Sequence, residues 1–446
     1  MGKFRFILDT DSSHNCLYLR AHRSAEMKCS TTLCCPMALL IATILFATHT
    51  SAYSVLTHEE LIDLAWNDSI RPLLLAKFPG ATDHELVVAH SYAYGGSAIQ
   101  DMGYYPFGKV FFSNLTHYVR SGDFVARLIR DARTLDEYAF AIGALSHYLG
   151  DSIGHSEAMN PATAMEFPKL KAKYGESVTY GESPHSHIRT EFAFDVGELA
   201  DRTFAPAAYL ERVGFRVPRN FLRNTFIATY GIDISEVLGR ARPDLKSYRT
   251  SVRSFIPAFA EAEVVLHKKK FPPHPDTEAY RIFMQRVAHT NYERRWKHTY
   301  RGPGIKAHLL AILVFIIPKI GAAADLAIKI PSTETEDWYL RSVNHTVDEF
   351  RKILHELLVD PDPALKFANL DLDTGDRVRL GDYALADSTY KKLLERVTSK
   401  PGRGIPQELK HHLLEYYEGS ANSGDTSDPE AIRLEKLKGM PAGRVR

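Results

Sequence analysis

The stretch that decides the fold is residues 134–155, which read TLDEYAFAIGALSHYLGDSIGH. It opens with Thr-x-x-Glu, a capping-box pattern in which two side chains satisfy free backbone N–H groups at a helix start. His147, Asp151 and His155 follow at four-residue spacing among apolar residues. On a helix this spacing places them in one column about 12 Å long. The pattern predicts a largely apolar helix with a polar column that suits two or more metal ions, with Asp151 between them.

Two further segments predict helix starts. Thr57-x-x-Glu60 is another capping-box pattern, and Ser183-Pro184 combines a preferred N-cap residue with a first-turn proline. Behind the second start, His187 and Glu191 repeat the four-residue spacing. One such pair is usually a surface ion pair, but the motifs fall within 45 residues of one another in apolar surroundings. Because burying these groups without a cation is costly, their conjunction indicates a metal site, and imidazole with carboxylate is a normal ligand set for catalytic zinc.

The rest of the chain consists of helix-period apolar patterns separated by single Pro and Gly residues, so we predict an all-α protein. We divide it into a leader (1–52), a zinc-binding catalytic core (53–200), a further helical region (201–417) and a flexible tail (418–446).

The leader has the pattern of a signal peptide. Residues 37–47, MALLIATILFA, form an apolar run that is followed by small residues up to Ala52. The run is shorter than the roughly 20 residues that span a bilayer, so cleavage after Ala52 is preferred to a retained anchor. We therefore expect a secreted or periplasmic protein. All four cysteines lie in the leader, which leaves no thiolate ligand in the mature chain.

The charge of the mature chain is balanced. Cleavage removes five of 55 Lys and Arg and three of 54 Asp and Glu, which leaves 50 against 51. Such a balance gives no electrostatic argument for a nucleic-acid partner.

The chain between residue 53 and about residue 195 resembles the zinc-dependent phospholipase C family, whose fold is shared with fungal single-strand-specific nucleases. The resemblance implies a multi-helical fold with three zinc ions in a cleft between helices. It rests on five segments taken together: YSVLTH (53–58), GGSAIQDMGYYPFG (95–108), LTHYVRSGDFV (115–125), ALSHYLGDSIGH (144–155) and HIRTEFAFD (187–195).

The resemblance also implies a ligand set. The mature N-terminal residue, Tyr53 after the predicted cleavage, would chelate one ion through its amine and carbonyl. The interval from Tyr53 to His58 matches that between the terminal residue and the first histidine of the nuclease relatives. The remaining implied ligands are Asp101, His117 and His147 for one zinc, Asp151 bridging to the N-terminal ion, and His155, His187 and Glu191 for another.

The sequence departs from the family pattern in two places, and one ligand position has an alternative. The terminal residue is Tyr rather than Trp, which changes little where the backbone chelates. The gap from Asp151 to His155 is shorter than in the small bacterial phospholipases and resembles that of glycosylphosphatidylinositol-cleaving phospholipase D relatives. Cleavage on either side of the phosphate is therefore compatible with the sequence. His185 is an alternative to His187, although the four-residue spacing to Glu191 favours His187.

The function that the resemblance implies is hydrolysis of phospholipid head groups. In our hypothesis an activated water attacks phosphorus in line, and Asp101 serves both as a ligand and as the general base. A nuclease of the same fold is one alternative, in which Tyr94, Tyr104, Tyr105 and Phe107 would stack on bases rather than pack in the core. A non-catalytic zinc-binding protein that keeps the fold is another.

Two segments outside the core region carry weaker predictions. Residues 308–329, HLLAILVFIIPKIGAAADLAIK, predict a buried helical hairpin, with transient contact to a membrane surface as the alternative. This apolar segment and the absence of disulfides favour lipid over nucleic acid. Residues 371–376, DLDTGD, lack the spacing of a calcium loop and predict a solvated turn.

Overall fold

A computed structural model describes residues 53–105, 108–238, 249–316, 327–360, 365–399, 404–418 and 429–443. The predicted leader, Phe107 and residues 317–326 of the apolar segment lie outside the described residues. The described chain contains no β-strand and only two isolated bridges, so the all-α prediction is confirmed.

The helices of the described chain are α1 (Val55–Ala65), α2 (Arg71–Lys77), α3 (Asp83–Ser97), α4 (Val110–Tyr118), α5 (Ser121–Asp131), α6 (Leu135–Gly154), α7 (Asn160–Glu166), α8 (Pro168–Tyr174), α9 (Pro184–Asp201), α10 (Ala207–Val213), α11 (Arg219–Tyr230), α12 (Ile234–Leu238), α13 (Ile256–His267), α14 (Glu278–Val287), α15 (Asn291–Trp296), α16 (Ile305–Ile316), α17 (Thr333–Val359), α18 (Ala384–Ser399), α19 (Gln407–Tyr416) and α20 (Pro429–Gly439). Short π-helical turns at Trp66–Ile70, His155–Met159 and Ser251–Phe255 and 3₁₀ turns at Gln100–Gly103, Lys268–Lys270 and Lys297–Thr299 lie between them.

The crossing of α3 and α6 forms the centre of the core. A Cβ atom added at Gly96 would lie 2.0 Å from the carbonyl oxygen of Phe140, and one added at Gly143 would lie 2.1 Å from that of Ala93. Only glycine permits backbones to approach this closely. Because α6 is enclosed by its neighbours, its polar column lies inside the protein.

The capping-box prediction for α6 is confirmed. The Thr134 side chain accepts from the Glu137 N–H, and the Glu137 carboxylate accepts from the Thr134 N–H. Ser183 occupies the N-cap position of α9 with Pro184 in the first turn, but its side chain makes no capping hydrogen bond.

The capping-box prediction for Thr57 is wrong. Helix α1 begins at Val55, and the N–H groups of Leu56 and Thr57 donate to the carboxylate of Asp195 at 3.0 and 3.1 Å. The Thr57 hydroxyl donates to the same carboxylate at 2.7 Å. A buried side chain from α9 therefore replaces the local cap, which fixes the start of α1 against the helix that carries His187.

The apolar segment presents one face to solvent. Helix α16 packs against α13 through residues such as Leu310 and Val314. Its other face carries large apolar side chains that are 57–82% exposed: Ile305, Leu309, Ile312, Phe315 and Ile316. The buried-hairpin prediction is wrong for this face, because the packing covers only one side of the helix. Within the described ranges, no helix has the length and apolar character needed to cross a membrane.

The C-terminal segment differs from the predicted tail. Residues Pro429–Gly439 form α20, which packs against α18 and α19. Leu437 is fully buried and Leu434 is 8% exposed. These two leucines supply the apolar contact that orders the helix.

The prediction of a solvated turn at residues 371–376 is wrong for its first two aspartates, since Asp371 is 3% exposed and Asp373 is fully buried. The Leu372 N–H donates to the carbonyl of His117 in α4 at 3.2 Å. Gly375 has φ +77°, and a Cβ there would lie 2.5 Å from the carbonyl oxygen of Ser152 in α6. The segment is therefore wedged against the two helices that carry the predicted ligands.

Candidate metal centre

Backbone carbonyls orient the imidazoles of His117 on α4 and His147 on α6. Nδ1 of His117 lies 2.8 Å from the carbonyl oxygen of Ser113, and Nδ1 of His147 lies 2.8 Å from that of Ser97. Because a carbonyl oxygen only accepts, each Nδ1 carries a proton, and Nε2 is the ring atom that a neutral imidazole would offer to a metal ion. The close crossing of α3 and α6 brings Ser97 within reach of His147.

Both Nε2 atoms face the carboxylates of Asp101, on the 3₁₀ turn after α3, and Asp151. Asp151 Oδ2 lies 3.1 Å from His117 Nε2 and 3.0 Å from His147 Nε2. Asp101 Oδ1 lies 3.3 Å from the former and 3.9 Å from the latter. These four buried side chains, the first cluster, hold ligand atoms that all lie within 4.8 Å of one another. On its other side, Asp151 Oδ1 lies 3.2 Å from His58 Nε2.

The first cluster fits zinc. Two ligands of a tetrahedral zinc ion, each at 2.0–2.1 Å, lie about 3.3 Å apart. The separations from Asp151 to His58, His117 and His147 are 3.2, 3.1 and 3.0 Å. At His117 and His147, a neutral ring would direct a nitrogen lone pair at a carboxylate oxygen in the buried interior. A cation between the atoms relieves that repulsion and the desolvation of the carboxylates.

The electrostatics of the first cluster are correspondingly strong. Burial alone would raise the pKa of the Asp151 carboxyl, but the facing rings of His147, His117 and His58 lower that pKa well below its usual range. Burial lowers the pKa of His117, yet Asp101 and Asp151 outweigh it and raise that pKa well above its ordinary value. The carboxylates thus create a strong field for positive charge.

The second cluster consists of His155, His187 and Glu191. His155 begins the π-helical turn that continues α6, and its ring stacks on that of His187 with 5.0 Å between centroids. His187 Nδ1 contacts Glu191 Oε1. Among the described residues, both ring nitrogens of His155 and Oε2 of Glu191 are buried without a hydrogen-bond partner. A bound cation is one of the few partners that such buried polar atoms can have.

The second cluster differs in protonation from the first. Burial lowers the pKa of His187 to about 4. Burial and the neighbouring His187 lower the pKa of His155 well below its ordinary value. Burial, followed by repulsion from Asp101 and Asp151, raises the pKa of the Glu191 carboxyl well above its usual range. Both imidazoles are therefore in the neutral form that binds metals. His185, the alternative to His187, lies exposed at the surface.

Tyr53 is the first described residue and is buried. Its ring lies 5.9 Å from that of His58 and closely against Gly154, and its hydroxyl shares a 2.6 Å hydrogen bond with Ser342 of α17. The phenol is therefore held by packing and by its hydrogen bond to Ser342. A ligand role for Tyr53 would therefore fall to its backbone, as the resemblance implies.

Three residues near the centre were missed by sequence reasoning: Asn160, Asp195 and Asp373. Asp195 lies within the matching segment 187–195, but no spacing pattern assigns it a role in the site. Asn160 matches no spacing pattern. Asp373 lies 182 residues beyond Glu191 along the chain. Its one sequence signal was an acidic turn that we assigned to solvent.

The aromatic residues proposed for base stacking are packed in the interior. Tyr94, Tyr104 and Tyr105 are at most 4% exposed. The Tyr94 hydroxyl donates to Asp63 at 2.6 Å, and the Tyr104 hydroxyl donates to Asn114 at 3.1 Å. The packing role is confirmed for these three tyrosines, which leaves them without a face for a base.

The comparison with known families agrees with this geometry. Residues 57–239 match the model of the family described as zinc dependent phospholipase C. No curated protein and no solved structure gives a significant match. The matched segment contains His58 and every residue of both clusters. Over this segment, the chain is similar to the zinc-dependent phospholipase C family.

Proposed function

We propose that this protein is a zinc-dependent phosphodiester hydrolase, a phospholipase C that acts on phospholipid head groups through a trinuclear zinc site. The observation that carries the proposal is the convergence of imidazole and carboxylate lone pairs in the first cluster at the spacing of zinc ligands. The family match supports the reaction class.

The proposed ligand groups follow the two clusters. Asp101, His117 and His147 would hold one ion, with Asp151 as a shared ligand. His58 and the backbone of Tyr53 would hold a second ion, and His155, His187 and Glu191 would hold the third. Bound zinc supplies Lewis acidity, which neutralises charge on phosphoryl oxygens and makes water acidic enough to be a nucleophile at neutral pH. Asp101 Oδ1 lies 3.3 Å from His117 Nε2 in the first cluster, and we assign Asp101 the role of general base as well as ligand.

A direct test combines zinc analysis with parallel assays on phosphatidylcholine and single-stranded DNA. The proposal predicts about three zinc ions per chain, release of phosphorylated head group, and loss of that activity on chelation. Cleavage of DNA alone would make the protein a nuclease. Bound zinc without hydrolysis of either substrate would make it a non-catalytic zinc protein, and absence of zinc binding would reject the proposal.

We also propose that the protein is secreted or periplasmic and that cleavage after Ala52 completes the metal centre. The support is the burial of Tyr53 beside His58, with the start of α1 held by Asp195. N-terminal sequencing of secreted material tests the cleavage site. A protein that begins at Tyr53 should hold one more zinc ion than one that retains Ala52, because acylation removes the amine ligand. Equal zinc contents would reject the ligand role of Tyr53.

The exposed face of α16 supports transient contact with a membrane surface. Beside it lies a groove of about 1330 Å³. Two acidic side chains line the groove, Glu211 and Glu261. Five basic side chains line it as well: Arg202, Lys268, Lys269, Lys270 and Arg301. Apolar side chains next to cations suit the interface of an anionic bilayer.

Sedimentation with phosphatidylcholine vesicles, with and without phosphatidylserine, tests this contact. Leu309→Asp together with Phe315→Asp should weaken vesicle binding by about tenfold, since each change removes apolar area that contact with the membrane would bury. Val359→Asp is a matched control, because Val359 is 70% exposed and lies outside α16. Unchanged binding of the α16 variant would exclude this face as the membrane contact.

A further inference from the structure

Asn160 joins the second cluster to the C-terminal half of the chain. It is the first residue of α7, directly after the π-helical turn that His155 begins, and it is 2% exposed. Its Nδ2 donates to the carbonyl oxygen of Asp373 at 2.8 Å, and its Oδ1 lies 2.8 Å from His187 Nε2. One amide side chain thus spans a predicted metal ligand and a segment 213 residues away in sequence.

The orientation of this amide follows from its two partners. The Asp373 carbonyl oxygen can only accept, so the amide nitrogen of Asn160 must face it. The amide oxygen then faces His187, and Nε2 of His187 must be the donor. The lone pair of His187 is therefore on Nδ1, the atom that contacts Glu191. Asn160 in this way selects which ring nitrogen is available to a cation.

The carbonyl of Asp373 is itself held in place. The Asp373 carboxylate accepts from the hydroxyls of Tyr118 and Tyr383 at 2.8 and 2.6 Å. The backbone of the preceding residue is bonded to the carbonyl of His117. The anchor of Asn160 is therefore tied to α4, which carries a ligand of the first cluster.

We propose that Asn160, anchored by Asp373, is a positioning residue that directs His187 Nδ1 toward the third zinc ion. This inference rests on the proposed function. Histidine ligands of metals usually donate their second N–H to a fixed acceptor, and loss of that acceptor typically weakens metal binding by about 10–100-fold.

Two substitutions at one position separate this role from simple packing. Asn160→Leu removes the acceptor for His187, and zinc affinity at the second cluster should fall by about 10–100-fold. Asn160→Asp keeps an acceptor for His187 but places two oxygens together at Asp373. It should lower the melting temperature while zinc affinity stays within about threefold of wild type, since the carboxylate–histidine–zinc arrangement is retained.

The measurement is zinc per full-length chain after dialysis against graded chelator, with the melting temperature recorded for each variant. Loss of about one ion by Asn160→Leu and its retention by Asn160→Asp is the expected result. The inference would be overturned if the zinc content of each variant fell in proportion to its melting temperature. It would also be overturned if Asn160→Leu held as much zinc as wild type. A wild-type chain that binds no zinc would instead reject the proposed function.

Tyr383→Phe tests the Asp373 anchor without changing Asn160. It removes one of the two hydroxyls that hold Asp373, so zinc affinity should fall by up to about tenfold. Asp376→Asn is the matched control, because Asp376 is exposed in the same segment. Equal zinc affinities for these two variants would overturn the inference even if Asn160→Leu failed to fold.

Discussion

The two clusters use the same kinds of side chain but hold them differently. In the first cluster, the rings of His117 and His147 are oriented by backbone carbonyls, that of Ser113 one turn earlier in α4 and that of Ser97 at the end of α3. In the second cluster, the ring of His187 is oriented by the side chain of Asn160, whose own partner belongs to a distant segment.

This difference determines what can disturb each cluster. A backbone carbonyl cannot be deleted by substitution, so the first cluster is sensitive to its ligands and to the helix crossing that presents Ser97. The second cluster can lose its orientation through one side chain. The predictions below test this contrast.

The largest effect is expected from Asp151→Asn. Its two oxygens face His58 on one side and His117 and His147 on the other, so the change should remove zinc from the first cluster. Hydrolysis should fall by at least about 100-fold, since substitutions in the outer shell of a metal already cost that much. Metal analysis and head-group release measure the two effects. Full hydrolysis by a variant that has lost its zinc would end the metal mechanism.

His155→Ala should have the next largest effect. Neither of its buried ring nitrogens has a hydrogen-bond partner in the described part of the chain. The variant should lose about one zinc ion and about 10–100-fold in hydrolysis, while the first cluster keeps its metal. His185→Ala is the control, because that ring lies at the surface. Simultaneous loss of every ion would show that the two clusters do not bind independently.

Gly143→Ala tests the helix crossing beneath the first cluster. The new Cβ would lie 2.1 Å from the Ala93 carbonyl oxygen, so α3 and α6 must separate. The free energy of unfolding should fall by about 1–3 kcal/mol, as in other overpacked cores, with weaker zinc binding at His147. Gly80→Ala, where no atom lies within 4 Å of the added Cβ, should leave both unchanged in denaturation and zinc measurements. Undiminished stability of Gly143→Ala would mean that the crossing is not close-packed.

The smallest effect on zinc binding is expected from Glu198→Gln on α9, the helix that carries His187 and Glu191. Burial raises the pKa of Glu198 from its ordinary 4.5 to about 8. The folded state therefore holds its proton more tightly than the unfolded state, and stability from this group is lost as pH rises from 4.5 through about 8.

The variant should match wild type near pH 4.5 and become relatively more stable towards pH 8. Urea denaturation at several pH values measures this trend, with the exposed Glu211→Gln as the control. A difference between Glu198→Gln and wild type that does not change with pH would show that Glu198 is not the titrating group.

Much of the fold and part of the candidate site could be predicted from short-range patterns. The capping box of α6 and the four-residue spacing from His147 to Asp151 depend on neighbours along one helix, and both appear as predicted. The start of α1 could not be predicted, because the partner of its N–H groups is Asp195 from another helix. The exposure of Leu309 and Phe315 could not be predicted either, since an apolar sequence alone does not show which face of the helix a neighbour covers.

The sequence by itself determined the residue types and their helical spacing, because these depend only on the order of residues and the geometry of the α-helix. Only the tertiary structure decided how the rings of His147 and His187 are oriented, since their partners, the Ser97 carbonyl and the Asn160 amide, lie on other helices. It also turned an acidic segment assigned to solvent into the anchor of the second cluster. Hydrogen-bond partners far apart in sequence are fixed only when the helices pack.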